Sequence, residues 1–114
     1  MNAEVFFEYC SSKNAAEVTF PFDDKTLVFK VGGKIFSLSN IDDFSSINLK
    51  CDPDKSISYR EAYRGIKPGY HMNKKHWNTV MVNADVPDAL IKELIDHSYE
   101  LVFTSLKQRI RDGL

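Results

Sequence analysis

The sequence predicts an α+β domain of two layers, an antiparallel sheet covered on one face by helices, in the order α-β-β-β-β-α-β-β-α. Three observations predict it. Short β-branched and aromatic runs broken by polar turns fill Val18 to Cys51. Gly32-Gly33 lies between two of these runs, where a two-residue hairpin needs positive φ at both positions. Segments with the apolar spacing of amphipathic helices stand outside this meander rather than alternating with its strands. Helices segregated in this way cover one side of an antiparallel sheet.

The elements follow in order. From Asn2 to Ser12 the residues Val5, Phe6, Tyr9 and Cys10 share one helical face. Asn2 is its N-cap, and Glu4 suits the positive end of the helix dipole. Val18–Phe22 is extended and belongs at an edge, because Pro21 cannot donate to a ladder. Asp23-Asp24-Lys25 turns the chain into Thr26–Val31, which pairs through Gly32-Gly33 with Lys34–Leu38. A break at Asn40-Ile41-Asp42-Asp43 leads to Ser46–Cys51, with Ile47, Leu49 and Cys51 on one face. Asp52 caps the next helix with Pro53 at its first position, and Gly65 bounds it. Ile66–Tyr70 is a short extended piece, and Trp77–Asn83 is a strand. Asp85 is expected to cap the closing helix, with Asp88 three residues on. Its stripe is Leu90, Ile91, Leu94, Ile95, Leu101 and Val102, with Ser98 filling one place, and it runs to about Leu106 before a polar tail, Lys107–Gly113. Phe6, Phe29, Phe36, Leu49, Ile91, Leu94 and Ile95 are the expected core.

Composition narrows the class. A chain of 114 residues fits one domain, 1–114, and buries about two-thirds of its unfolded surface. Its 43% hydrophobic and 27% charged residues are those of an ordinary globular protein rather than a disordered one. No apolar run approaches the ~18 residues that cross a bilayer. Met1-Asn2-Ala3-Glu4 lacks the cationic start of a signal peptide. Cys10 and Cys51 make no disulfide framework, so a reducing cytoplasm is the expected location.

The net charge of −1 is unevenly spread. Residues 60–84 carry Arg60, Arg64, Lys67, Lys74 and Lys75 against Glu61 alone, whereas both flanking regions are acidic. Charge concentrated in one segment matters for partners more than the total does.

Within that segment, Gly69-Tyr70-His71-Met72-Asn73-Lys74-Lys75-His76-Trp77-Asn78-Thr79-Val80 resembles the most characteristic stretch of YjbR/MmcQ-like proteins. Lys34-Ile35-Phe36, Asn48-Leu49-Lys50-Cys51-Asp52-Pro53 and Asp96-His97-Ser98-Tyr99 agree with that family in order. The resemblance implies an α+β fold grouped with frataxin-like and secretion-chaperone-like proteins. It also implies a DNA-binding role through a double wing of strands and loops. It supplies no catalytic residue, and fold likeness by itself is not a function.

The residues themselves leave two functions open. In the first, a DNA-binding module uses Arg60, Arg64, Lys67, Lys74 and Lys75 for phosphates, His71, His76 and Asn73 as hydrogen-bonding groups, and Trp77 as a stacking surface. In the second, a protein-interaction module, able to self-associate as a homodimer, uses an exposed sheet face or edge. Beside the first stands a structural alternative, in which Trp77 anchors its loop and Asn73 caps the turn that begins at Lys74. His71 and His76 are five apart, a poor spacing for a metal, and no CxxC or HExxH accompanies them. Asp23-Asp24, Asp42-Asp43 and Asp52/Asp54 sit at turns, where Asp serves local hydrogen bonds. GxSxG, GxGxxG and P-loop motifs are absent, so neither an enzyme nor a cofactor site is expected.

Overall fold

The computed structural model describes residues 1–114. Ten elements follow one another: α1 (Ala3–Ser11), β1 (Glu17–Thr19), β2 (Thr26–Val31), β3 (Lys34–Asn40), β4 (Ser46–Lys50), α2 (Pro53–Ala62), β5 (Ile66–Pro68), β6 (Trp77–Met81), α3 (Asp88–Ser105) and α4 (Gln108–Asp112). The strands form one sheet in the order β1-β2-β3-β4-β6-β5, with every neighbouring pair antiparallel. The α+β reading therefore holds, with β6 next to β4 and β5 outermost.

Side chains close to each boundary set it. Asn2 Oδ1 accepts from the Val5 N–H at 2.8 Å and starts α1. The Asp52 carboxylate accepts from the N–H groups of Asp54 and Lys55, both at 3.1 Å, with Pro53 opening α2. Asp23 Oδ1 accepts from Lys25 and Thr26 N–H at 2.9 and 2.6 Å, and Asn40 Oδ1 does the same for Asp42 and Asp43 at 2.9 and 3.1 Å. These are the turns before β2 and β4. Gly32 and Gly33 carry φ of 57° and 83°, as a hairpin with both central residues left-handed requires. Gly32 has a second reason to be glycine, because a Cβ there would lie 2.6 Å from Leu106 Cδ1.

Helices α1, α2 and α3 pack on one face. Phe6 and Cys10 of α1, and Ile91, Leu94, Ile95, Tyr99 and Val102 of α3, meet Leu27, Phe29, Val31, Phe36, Ile47, Leu49 and Val80 of the sheet. Each of the seven expected core residues is at most 4% exposed. Phe29 contacts Phe6 edge-on at 5.7 Å between centroids, and Phe36 meets Tyr99 edge-on at 5.3 Å. A bulge next to Phe29 leaves Phe36 without a partner on β2. No helix is long and apolar enough to cross a membrane.

Three local expectations are corrected. Asp85 does not cap the closing helix. Pro87 disfavours helical backbone at Val86, so α3 starts at Asp88 without a side-chain cap. The freed Asp85 carboxylate accepts instead from the N–H groups of Arg64 and Gly65, both at 2.7 Å, and these bonds hold it below the usual carboxylate range. The stripe of α3 includes Tyr99, which is buried, whereas Leu101 is only partly covered. The polar tail adds a helix to the expected element order. It forms α4, and Leu106 and Ile110 approach the Gly32 turn.

Candidate functional site

The 69–77 segment is a constructed loop, held from both sides. Gly69 and Trp77 face each other, with the Gly69 N–H donating to the Trp77 carbonyl at 2.8 Å. A Cβ on Gly69 would meet Trp77 Cβ at 2.8 Å, so only glycine fits the approach. Asn73 Oδ1 accepts from the N–H groups of Lys75 and His76 at 2.9 and 3.3 Å, the capping role of the structural alternative. From α2, the Arg60 guanidinium donates to Asn78 Oδ1 at 2.7 Å and to the carbonyls of Lys74 and Trp77 at 2.5 and 3.2 Å. Lys74 Nζ donates to the Gly69 carbonyl at 2.9 Å. Arg60 and Lys74 thus bind the loop itself.

The other basic residues of the segment are free. Arg64, Lys67, His71, Lys75 and His76 are all exposed, and none of the ion pairs involves them. They do not form one compact patch. Arg64 lies at the α2–β5 corner near Asp85, and Lys75 and His76 project from the loop. Lys67 pairs with Thr79 on the edge of the sheet.

Strand alternation assigns the sheet's two faces. Val80 belongs to the core, so Trp77, Thr79 and Met81 point to the side without helices, together with Asn48 and Lys50 opposite them in register. By the same rule Thr26, Val28 and Lys30 of β2 and Leu38 and Asn40 of β3 share that bare face. Lys50 stands directly opposite Trp77, which is partly buried. Lys30 and Lys50 lie outside the basic segment and were invisible to a charge count along the chain. The signal that could have found them was alternation within β2 and β4.

On the same face lies a cleft of about 510 Å³ over β2, β3 and β4. Phe22 lines it from the β1–β2 connection, and Tyr70, His71 and Met72 line it from the loop. Thr26, Asn40, Ser46 and Asn48 contribute its polar lining. The Tyr70 N–H donates to Thr79 Oγ1 at 2.9 Å, and that hydroxyl donates to Asn48 Oδ1 at 2.5 Å, which pins the loop to the sheet. His71 adopts φ of 59° and its ring lies 4.0 Å from that of Tyr70. This is left-handed backbone, for which histidine is more tolerant than most residues.

The closing-helix tetrad is structural. Asp96 takes the Tyr9 hydroxyl at 2.7 Å and the Lys13 ammonium, and the Tyr99 hydroxyl donates to the Asn14 carbonyl at 2.7 Å. His97 Nε2 accepts from the Asp52 N–H at 3.1 Å. Burial pushes the Cys10 thiol up to about 12 and raises that of Cys51 as well, so neither is primed as a nucleophile at neutral pH. No group of three His, Cys, Asp or Glu side chains converges on one point.

Known proteins share both sequence and fold with this chain. The uncharacterized protein YbdF of Escherichia coli O157:H7 is 47% identical over 102 residues, covering 85% of this chain and 84% of that one. The uncharacterized protein YjbR of Escherichia coli K12 is 29% identical over 112 residues, covering 97% and 95%. The crystal structure of Deinococcus radiodurans protein DR2400, a DUF419 domain, superposes with a TM-score of 0.92 at 37% identity, covering 98% of this chain and 86% of that one. A crystal structure of a Pseudomonas syringae protein superposes with a TM-score of 0.76 at 31% identity, covering 90% and 99%. Residues 11–101 match the YjbR family, and the chain belongs to it.

Proposed function

We propose that this protein is a DNA-binding module that uses the bare face of its sheet together with the 69–77 loop. The observation that carries this reading is the register of β4 and β6, in which Lys50 stands opposite Trp77 on the face without helices. A cation beside an aromatic ring is the pairing that single nucleotides use, phosphate on one and base on the other. Lys30 and Lys67 on that face, Lys75 and His76 on the loop, and Arg64 at its flank supply further phosphate contacts. Arg60, Lys74 and Asn73 shape the loop. No catalytic step, metal or small-molecule cofactor enters this function, and with a sequence pI near 6.3 the attraction for DNA comes from these particular cations rather than from the net charge of the whole chain.

A salt titration of DNA binding tests it. Three to five neutralised phosphates give a slope of about −3 to −4.5 in log affinity against log salt, with dissociation constants of about 10⁻⁴ to 10⁻⁶ M near physiological salt. Absence of binding at low salt would rule the function out.

A second reading, self-association as a protein-interaction module, is favoured by one observation. Phe20 and Phe22 follow the three-residue edge strand β1 and are 45% and 67% exposed, an apolar row beside an unpaired strand edge. Sedimentation velocity across a concentration series distinguishes it, since edge pairing predicts a dimer that Phe22→Ser abolishes.

A further inference from the structure

We infer that the cleft over β2, β3 and β4 holds one unstacked base, so that the DNA bound is single-stranded; this rests on the DNA-binding reading above and specifies its ligand. Size permits it, because about 510 Å³ lies within the range of small-molecule pockets and is more than one base needs. Two rings at the cleft, Phe22 and Tyr70, are 67% and 68% exposed, and exposed rings of this kind are where bases stack.

The polar lining has hydrogen-bonding capacity left over, in known orientations. Asn48 Oδ1 is occupied by the Thr79 hydroxyl at 2.5 Å, which turns the Asn48 amide N–H₂ into a fixed donor. Asn40 Oδ1 is occupied by the N–H groups of Asp42 and Asp43, which leaves its amide N–H₂ as a second donor. The Asp43 carboxylate beside them only accepts. Fixed donors next to an acceptor are what reading the edge of a base requires.

Charge separates the parts of the nucleotide. No Lys or Arg lines the cleft, and Asp43 disfavours an anion inside it. Lys50 lies two residues along β4 from Asn48 on the same face, outside the cleft. A neutral base fits inside and the phosphates fit outside. In a duplex the base would first have to unpair and unstack, so the single strand is the favoured ligand. The wall is ready-made, since Tyr70 is tied to Thr79 and its loop is clamped by Arg60 and Lys74.

The test is fluorescence anisotropy with a labelled single strand and with the duplex of the same sequence, using the wild type, Tyr70→Ala, Phe22→Ala and Lys50→Ala. Thermal melts of the variants confirm that each remains folded. The single strand should bind more tightly than the duplex. Tyr70→Ala and Phe22→Ala should each weaken single-strand binding by about 5- to 150-fold while changing duplex binding little. Lys50→Ala should weaken both forms and reduce the salt slope. Equal affinity for the two forms, untouched by either aromatic substitution, would overturn the base cleft and leave DNA binding standing. Failure of both forms to bind would remove the DNA reading and the cleft's role in it together.

Discussion

The Ser98 hydroxyl donates to the Phe36 carbonyl at 2.6 Å, in the place where a strand would otherwise have paired. The same oxygen accepts from the Lys50 N–H at 2.8 Å, so a helix side chain bridges β3 and β4 just past Ser37 and Leu49, where their direct pairing ends. Ser98 and Phe36 are wholly buried, so the Phe36 carbonyl has no water to turn to. Ser98→Ala removes both bonds and is expected to cost about 1–3 kcal/mol, read as a lowered urea midpoint. A midpoint equal to that of the wild type would show that the bridge contributes nothing.

Leu94 is 4% exposed within the core that joins α3 to the sheet. Leu94→Ala loses transfer free energy and leaves a cavity, for an expected loss of about 2–5 kcal/mol. Chemical denaturation measures it, and a loss under ~1 kcal/mol would place Leu94 outside the packed core.

His97 gives stability a pH dependence of defined sign. Burial is the main cause that lowers its pKa from the ordinary 6.5, Lys55 adds to the effect, and Asp52 opposes it. Its Nε2 can accept from the Asp52 N–H only while the ring is neutral. The unfolded chain therefore takes up the proton more readily than the native one. The contribution is complete above the ordinary histidine value and is lost as pH falls through the lowered one. Melting temperature should decline between about pH 7 and pH 5 more steeply for the wild type than for His97→Phe. Parallel profiles would refute the assignment.

Trp77 is partly buried against Gly69 and is the chain's one tryptophan. Native emission should lie to the blue of free tryptophan and shift red on unfolding. Emission already at the solvent maximum would place the ring outside the loop's anchor.

Lys74 and Lys75 are neighbours in sequence with different tasks. Lys75→Ala should reduce the magnitude of the DNA salt slope by about one unit. Its effect on stability should stay within about 0.5 kcal/mol. Lys74→Ala deprives the Gly69 carbonyl of its donor and should cost about 1 kcal/mol while leaving the slope nearly unchanged. Equal effects of the two substitutions on the slope would mean that Lys74 leaves the loop to meet phosphate.

The sequence by itself determined the elements whose causes lie within a few residues. Asn2 reaches Val5, Asp52 reaches Asp54 and Lys55, Asp23 reaches Lys25 and Thr26, and Gly32-Gly33 supplies its own φ. Periodicity likewise marked Phe6, Ile91, Leu94 and Ile95 for the core, because an apolar face must be buried whatever covers it. Partners across the chain were decided only by the tertiary structure. Arg60 looked like a phosphate ligand, yet it binds carbonyls 14 and 17 residues away. Asp85 looked like a cap, yet it serves backbone 20 and 21 residues back. Ser98 looked like a gap in an apolar stripe, yet it joins strands 48 and 62 residues distant. The bare face, with Lys30, Lys50, Trp77 and the cleft, follows from a sheet order that places β6 beside β4. A hydrogen-bonding side chain takes whichever partner packing brings within about 3 Å, and which partner that is depends on the whole fold rather than on its neighbours in sequence.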